Sequence, residues 1–185
     1  MSTAFDIIVL GAGMAGASIT AELAPHARVL LLETEDQPGR HSTGRSAAMF
    51  FESYGNATVR ALTRASRTFL EAPPDGFAQT PLLSPRDALI VCGEEGAPHL
   101  RELLASASDP LYFGRIPTAE ALRRMPILRP DWLVDAALDT SGRDMDVAAI
   151  HQGFLRTGRR LGAQLVVDAG EVHLQDRKST RLNSS

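Results

Sequence analysis

Apolar and polar residues follow one another along this chain with periods that change at identifiable points. Phe5-Asp6-Ile7-Ile8-Val9-Leu10 is a short β-branched run that predicts a strand over 5–10, and a helix follows from Ala15 to Leu23. Val29-Leu30-Leu31-Leu32-Glu33 is apolar at almost every position, the pattern of a strand buried on both faces. Pro38-Gly39 then breaks the chain, and Ser42 to Ala48 is a run of small and hydroxylated residues. Helical spacing returns from Asn56 to Leu70. There Val59, Leu62, Thr63, Ser66 and Leu70 share one face with arginines outward, until Pro73-Pro74-Asp75-Gly76 stops the helix.

Between residues 77 and 140 the pattern shortens. Prolines become frequent, and Ala88–Val91 and Leu133–Leu138 stand out as brief apolar runs. A helix from Glu95 to Ser106 separates them. A second, from Thr118 to Met125, opens on Thr-Ala-Glu-Ala, which puts a capping hydroxyl at Thr118 and an acid near the positive helix end. Asp146 to Leu161 is again clearly helical, with Ala149, Ile150, Phe154, Leu155 and Leu161 as its apolar stripe and Gly162 as its stop. Gln164-Leu165-Val166-Val167 reads as a third buried strand.

A helix and then a strand, resuming after a stretch of different character, is what a doubly wound sheet carrying an inserted domain requires. The expected fold is α/β: a Rossmann-like domain over 1–76 and 143–175, with part of an inserted α+β domain over 77–142. The Rossmann-like domain is expected to be incomplete, because a full open sheet has about five or six strands.

Composition narrows the class. The 44% hydrophobic content of these 185 residues suffices for a core, and a net charge of −3 offers no basic surface to nucleic acid or anionic lipid. The single cysteine, Cys92, excludes an internal disulfide and a cysteine metal cluster, and it follows Leu89-Ile90-Val91 as a buried strand residue would. The N-terminal apolar run is short, lacks a basic flank and ends in glycines, so it reads as a core strand rather than a leader or membrane span. A cytoplasmic enzyme is expected. Residues 176–185 change composition abruptly and read as a disordered polar tail, or as non-native sequence, because the decapeptide resembles a translated sequencing adapter. Without its one acid and three bases the net charge moves from −3 to −5.

Chemistry concentrates at the first strand. Gly11-Ala12-Gly13-Met14-Ala15-Gly16 lies between a strand and a helix, and Glu33 closes the next strand. Gly11 permits the tight turn, Gly13 lets backbone approach a pyrophosphate, and Gly16 lets the helix lie close to the sheet. The helix N-terminus offers unpaired N–H groups to phosphate, and Glu33 is spaced to accept from an adenosine ribose. A nicotinamide dehydrogenase would continue into an ordinary helix; here Gln37-Pro38-Gly39-Arg40-His41-Ser42-Thr43-Gly44-Arg45-Ser46-Ala47-Ala48 follows instead. Short side chains let such a segment run close to a planar ring, its hydroxyls and N–H groups suit a diphosphate, and Arg45 can counter phosphate charge.

With GAGMAGAS and HSTGRSAA, and with TPLLSPR and Ile150-His151-Gln152-Gly153-Phe154-Leu155-Arg156 further on, residues 5–175 resemble the D-amino-acid oxidase-like superfamily of FAD-dependent oxidoreductases. Within it the chain is most similar to bacterial D-amino-acid dehydrogenases of the D-arginine dehydrogenase type. The resemblance implies a FAD domain and a substrate domain whose sheet roofs the flavin. It assigns Gly11, Gly13, Ala15 and Gly16 to the phosphate turn, and Glu33 with Thr34 to the ribose site. Ser42, Thr43, Gly44, Arg45, Ser46, Ala47, Ala48 and Met49 match the segment along the flavin, and Glu171 and Val172 a position near the adenine. The implied reaction moves hydride from the Cα–H of a D-amino acid to flavin N5, and the imino acid hydrolyses to a 2-oxo acid and ammonia.

Members of this superfamily run to nearly twice this length, and their carboxylate-binding groups come from the later half; no catalytic residue is therefore assigned, and this chain alone is expected to be inactive. Met49, Tyr54 and Ala88 are candidates for the substrate pocket. Met49 stands where the arginine-preferring pattern has a His, and Ala88 where it has a carboxylate, so apolar D-amino acids or secondary amines become the expected substrates. The electron acceptor is left open. Alternatives are a nicotinamide-dependent Rossmann dehydrogenase and a catalytically incompetent flavin-domain fragment that aggregates through an exposed apolar edge.

Other polar residues invite plainer readings. For His41 two roles are open, bonding a phosphate and capping its loop, and the structural one is favoured; His151 is expected to lie on the polar side of its helix, and Trp132 to anchor the second domain. Asp139, Asp144 and Asp146 lack calcium-loop spacing and read as turn and capping groups.

Overall fold

The computed structural model describes residues 4–106 and 112–173; the decapeptide 176–185 lies outside them. The elements in chain order are β1 (Ile7–Leu10), α1 (Met14–Leu23), β2 (Val29–Leu32), β3 (Met49–Phe50), α2 (Ala57–Glu71), β4 (Leu83–Pro85) and β5 (Ala88–Cys92). Then come α3 (Ala97–Ala105), β6 (Phe113–Ile116), α4 (Thr118–Arg124), β7 (Asp135–Asp139), β8 (Arg143–Met145), α5 (Val147–Arg160) and β9 (Gln164–Val166). They form two compact units, Met1–Ser46 with Ile150–Ser185, and Ala47–Ala149.

The first unit is built on a parallel sheet of order β1-β2-β9, in which Ile7 pairs with Val29 and Leu30 with Gln164. Strand side chains alternate between faces, and here the odd positions face the helices. Leu31, Ala12, Ala17 and Leu155 form one cluster, joined by Val9, Phe154 and Leu165; Val29, Ala24 and Ala163 form a second, joined by Ile7. The two helices pack tightly enough that a Cβ on Gly158 would lie 3.3 Å from Thr20 Cγ2. Even positions differ. Ile8 and Leu10 are each 53% exposed and Val166 43%, while in β2, where burial on both faces is expected, Leu30 and Leu32 are half-buried on this side. At its start the sheet is laced by Asp6, whose carboxylate takes both the backbone N–H and the guanidinium of Arg28 and is held down to about 2 by that pairing.

The second unit holds two antiparallel sheets, β3-β8-β4 and β5-β7-β6. In the latter, alternation sends Ile90 and Cys92 toward α3 with Leu100, Phe113 and Ala137. Leu89 and Val91 go the other way, to Ala121 of α4 with Leu133 and Ala136. Cys92 is buried as expected, and burial pushes its thiol pKa up, with the Asp135 charge adding to the effect.

The units change over at 46/47 and 149/150, whereas the sequence reading places boundaries at 76/77 and 142/143. The reason is pairing. β8 lies between β3 and β4, so residues on either side of the expected boundaries share one sheet. Strands of two or three residues are too short to announce themselves by periodicity.

Other details also depart from the sequence reading. Pro117, not Thr118, holds the N-cap position of α4, and no side chain caps it. The expected apolar face of α2 buries Leu70 alone, leaving Val59 at 40% and Leu62 at 65% exposure. Trp132 is 46% exposed and lies against Gly93 rather than anchoring a core. Asp139 and Asp146 take the expected turn and cap roles, accepting from the Ser141 N–H and from the Ala149 N–H at the start of α5; Asp144 does not, because it lies within β8 and pairs with the Arg86 guanidinium. No helix of the described residues is long and apolar enough to cross a membrane.

Candidate cofactor site

The site is assembled where β1 turns into α1. Gly11 turns the chain at φ +89°, a conformation that costs an L-residue with a Cβ about 1–2 kcal/mol, and its N–H donates to the Leu32 carbonyl at 2.7 Å. A Cβ at residue 16 would overlap the Gly11 carbonyl oxygen, so only glycine lets the first turn of α1 sit on this loop. Gly13 occupies the N-cap in extended conformation, with no side chain to close off the helix N-terminus. The N–H groups of the first helical turn have no intrahelical acceptor. One of them, from Met14, is taken by Thr43 Oγ1 at 3.0 Å, and a Cβ on Gly13 would stand 3.2 Å from that same oxygen. Thr43 therefore draws the segment after β2 onto the glycine turn.

Glu33 follows β2 directly and is 8% exposed. Its Oε2 accepts the Ala12 N–H at 2.9 Å, while Oε1 accepts the Glu35 N–H at 3.1 Å and the Thr34 hydroxyl at 3.3 Å. Burial alone would push this carboxyl up. The N–H bonds from Glu35, Ala12 and Thr34, with the Thr34 hydroxyl, outweigh it and hold the group below the usual carboxylate range. The bonds from the Glu35 N–H and the Thr34 hydroxyl fall on Oε1, and Oε2 accepts from Ala12, which leaves Oε2 a lone pair for a further donor. The chain after β9 passes alongside, the Ala169 N–H donating to the Glu33 carbonyl at 2.9 Å and the Asp168 N–H to that of Glu35 at 3.0 Å. Glu171 and Val172 lie just beyond that contact.

Of the segment expected along the flavin, Ser42, Gly44, Arg45 and Ser46 are exposed in the first unit, and Arg45 makes no ion pair among the described residues. His41 pairs with Glu35 at 2.8 Å and so steadies the loop, as the sequence reading holds. Ala47, Ala48 and Met49 belong to the second unit. Ala48 adopts φ +57°, and its carbonyl accepts the Met145 N–H at 2.7 Å.

The three pocket candidates also lie in the second unit. Met49 is 40% exposed on β3 opposite Asp144, and Tyr54 is 75% exposed in the loop before α2. Ala88 pairs with Asp139 across the β5–β7 ladder. Asp139 is fully buried, and its carboxylate also accepts the hydroxyls of Ser141 and Ser53. The bond from Ser53 ties the Tyr54 loop to the end of β7, opposite Ala88.

One residue the sequence reading misplaces is central. His151 is 4% exposed, not on a polar face, and its Nε2 lies 2.8 Å from the Ala12 carbonyl oxygen. The signal was present in the spacing, since Phe154, Leu155 and Gly158 stand three, four and seven residues on and share its side of α5.

Comparison with known proteins gives the family and the fold. A family model described as DAO, FAD dependent oxidoreductase, matches residues 6–183. Among solved structures the chain is similar to L-α-glycerophosphate oxidase from Mycoplasma pneumoniae with FAD bound, at 14% identity and a TM-score of 0.74, over 89% of this chain and 44% of that one. Glycine oxidase from Geobacillus kaustophilus gives 20% identity and a TM-score of 0.73, over 89% and 46%. L-amino acid deaminase from Proteus vulgaris gives 14% and 0.73, over 96% and 43%. The chain thus spans less than half the length of these structures. With its glycine turn, its Glu33 and a family match along nearly all of its length, the chain belongs to the DAO family of FAD-dependent oxidoreductases.

Proposed function

We propose that this chain supplies the cofactor-holding part of an enzyme that oxidises the Cα–N bond of a D-amino acid or related amine. The observation that carries the reading is the bond from the Ala12 N–H to Glu33, which joins the phosphate turn to the ribose-binding acid in one rigid corner. The residues present suit FAD. A Cβ-free Gly13 at a helix N-terminus leaves backbone free to approach a diphosphate, and Glu33 keeps an acceptor position for a ribose hydroxyl. Arg45 is an exposed cation available to the phosphates, and the backbone at Glu171 and Val172 is available to the adenine.

When bound, FAD supplies the two-electron acceptor for amine oxidation, and the released imino acid hydrolyses to a 2-oxo acid and ammonia. The chain's own residues position and enclose. Met49, Tyr54 and Ala88 are assigned to the substrate side. With no carboxylate at residue 88 to meet a guanidinium, apolar D-amino acids or secondary amines are the proposed substrates. The lone buried thiol suits a cytoplasmic setting.

The test is an anaerobic reduction of the FAD-loaded full-length enzyme carrying this half, with D-Leu, D-Met, D-Arg and their L-enantiomers. Loss of the visible flavin band with ammonia release, and a higher kcat/KM for D-Leu or D-Met than for D-Arg, is expected. Preference for D-Arg would reject the apolar assignment, and preference for the L-enantiomers the D-specific one.

A further inference from the structure

We infer that His151 is a positioning residue for the diphosphate turn, aiming the Gly13 N–H through the Ala12–Gly13 peptide; the inference rests on the FAD reading above. The Ala12 carbonyl can only accept, so the ring nitrogen 2.8 Å from it must carry the proton, and His151 donates from Nε2. Ala12 is fully buried, which leaves its carbonyl no water to bond if the ring is removed.

The geometry then follows from peptide planarity. In a trans peptide the carbonyl and the following N–H point in opposite directions. Glu33 holds the Gly11–Ala12 plane by its N–H, and the carbonyl of that plane is directed at Gly16. His151 holds the next plane by its carbonyl, which turns the Gly13 N–H away from α5. That N–H has no acceptor among the described residues. Both planes flanking Ala12 are therefore fixed from outside the turn, one by an acid and one by an imidazole.

The neighbouring chain is shaped to admit the ring. Gly39 sits at φ +79°, and a Cβ there would lie 2.9 Å from His151 Cε1 and 3.1 Å from Nδ1. A buried imidazole, a glycine that makes space for it and a single directed bond to the turn together exceed what packing alone requires.

The experiment compares wild type, His151→Leu and His151→Gln in the full 185-residue chain, measuring FAD affinity by quenching of flavin fluorescence and apo-protein stability by thermal melting. Leu fills the space but cannot donate; Gln can donate to the same carbonyl. His151→Leu is expected to weaken FAD binding by about tenfold or more, and His151→Gln to recover most of that loss at matched stability. Equal affinity in wild type and the Leu variant, or equal losses in Leu and Gln, would overturn the inference. A wild-type chain that binds no FAD overturns the reading beneath it instead, and the inference with it. Should the variants not fold, histidine-selective nitrogen NMR on the wild type decides. A slowly exchanging Nε2–H at His151 supports the assignment, and an Nδ1–H tautomer refutes it.

Discussion

Ala12 shows how a residue without side-chain chemistry becomes the pivot of a site: its N–H and its carbonyl are both bonded to side chains far along the chain. The glycines around it make separable demands. A Cβ at residue 16 meets backbone, so Gly16→Ala should cost about 1–3 kcal/mol of stability in denaturant titration. A Cβ at residue 13 meets only the hydroxyl of Thr43, so Gly13→Ala should fold almost as well as wild type yet bind FAD about tenfold more weakly. Wild-type affinity in that variant would show that no phosphate approaches there. Thr20 offers a contrasting test. Its hydroxyl is buried without a partner among the described residues, and Thr20→Val should raise stability by about 1 kcal/mol.

Glu33 carries a pH dependence whose sign follows from its bonds. Its folded pKa lies below the ordinary 4.5, so its contribution is complete above that value and is lost as pH falls through the folded one. Wild-type stability should therefore decline from about pH 5 downward, and Glu33→Gln should flatten part of that decline. Identical acid profiles for the two proteins would contradict the bonding seen at Ala12.

Among the elements, the parallel sheet has one face covered by α1 and α5 and one exposed. Leu31→Ala, on the covered face, should cost about 2–5 kcal/mol, while Ile8→Thr, half exposed on the other, should cost under about 1 kcal/mol; urea titration of both distinguishes the faces. The same contrast explains how much could be read from sequence. β1, α1, β2, α5 and β9 were legible within a few residues because long apolar periods and a glycine turn specify them locally. β3, β4 and β8 were not, because strands of two or three residues exist only through pairing with distant chain. The apolar face of α2 has ideal spacing, but spacing does not say what covers it, and Val59 and Leu62 are exposed. In the site, residues that must be glycine or acid for chemical reasons were readable. His151 was not, because its role lies in one contact to a carbonyl, and a polar residue on a helix is read outward unless its neighbours' spacing is weighed.

Taken whole, the chain combines a cofactor corner made entirely within one compact unit with pocket candidates that all lie in the other. Every group assigned to the adenosine and diphosphate, from Gly11 to Arg45 and again at Glu171 and Val172, belongs to the first unit. Recognition of the nucleotide end of FAD should accordingly be a property of this chain. The measurement that tests this most directly is an equilibrium titration of the 185-residue chain with FAD and, in parallel, with FMN, which carries the flavin without the adenosine. Saturable binding of a single FAD per chain, with FMN far weaker, is the expected result; no FAD binding by a folded chain, or equal affinity for the two, would contradict it.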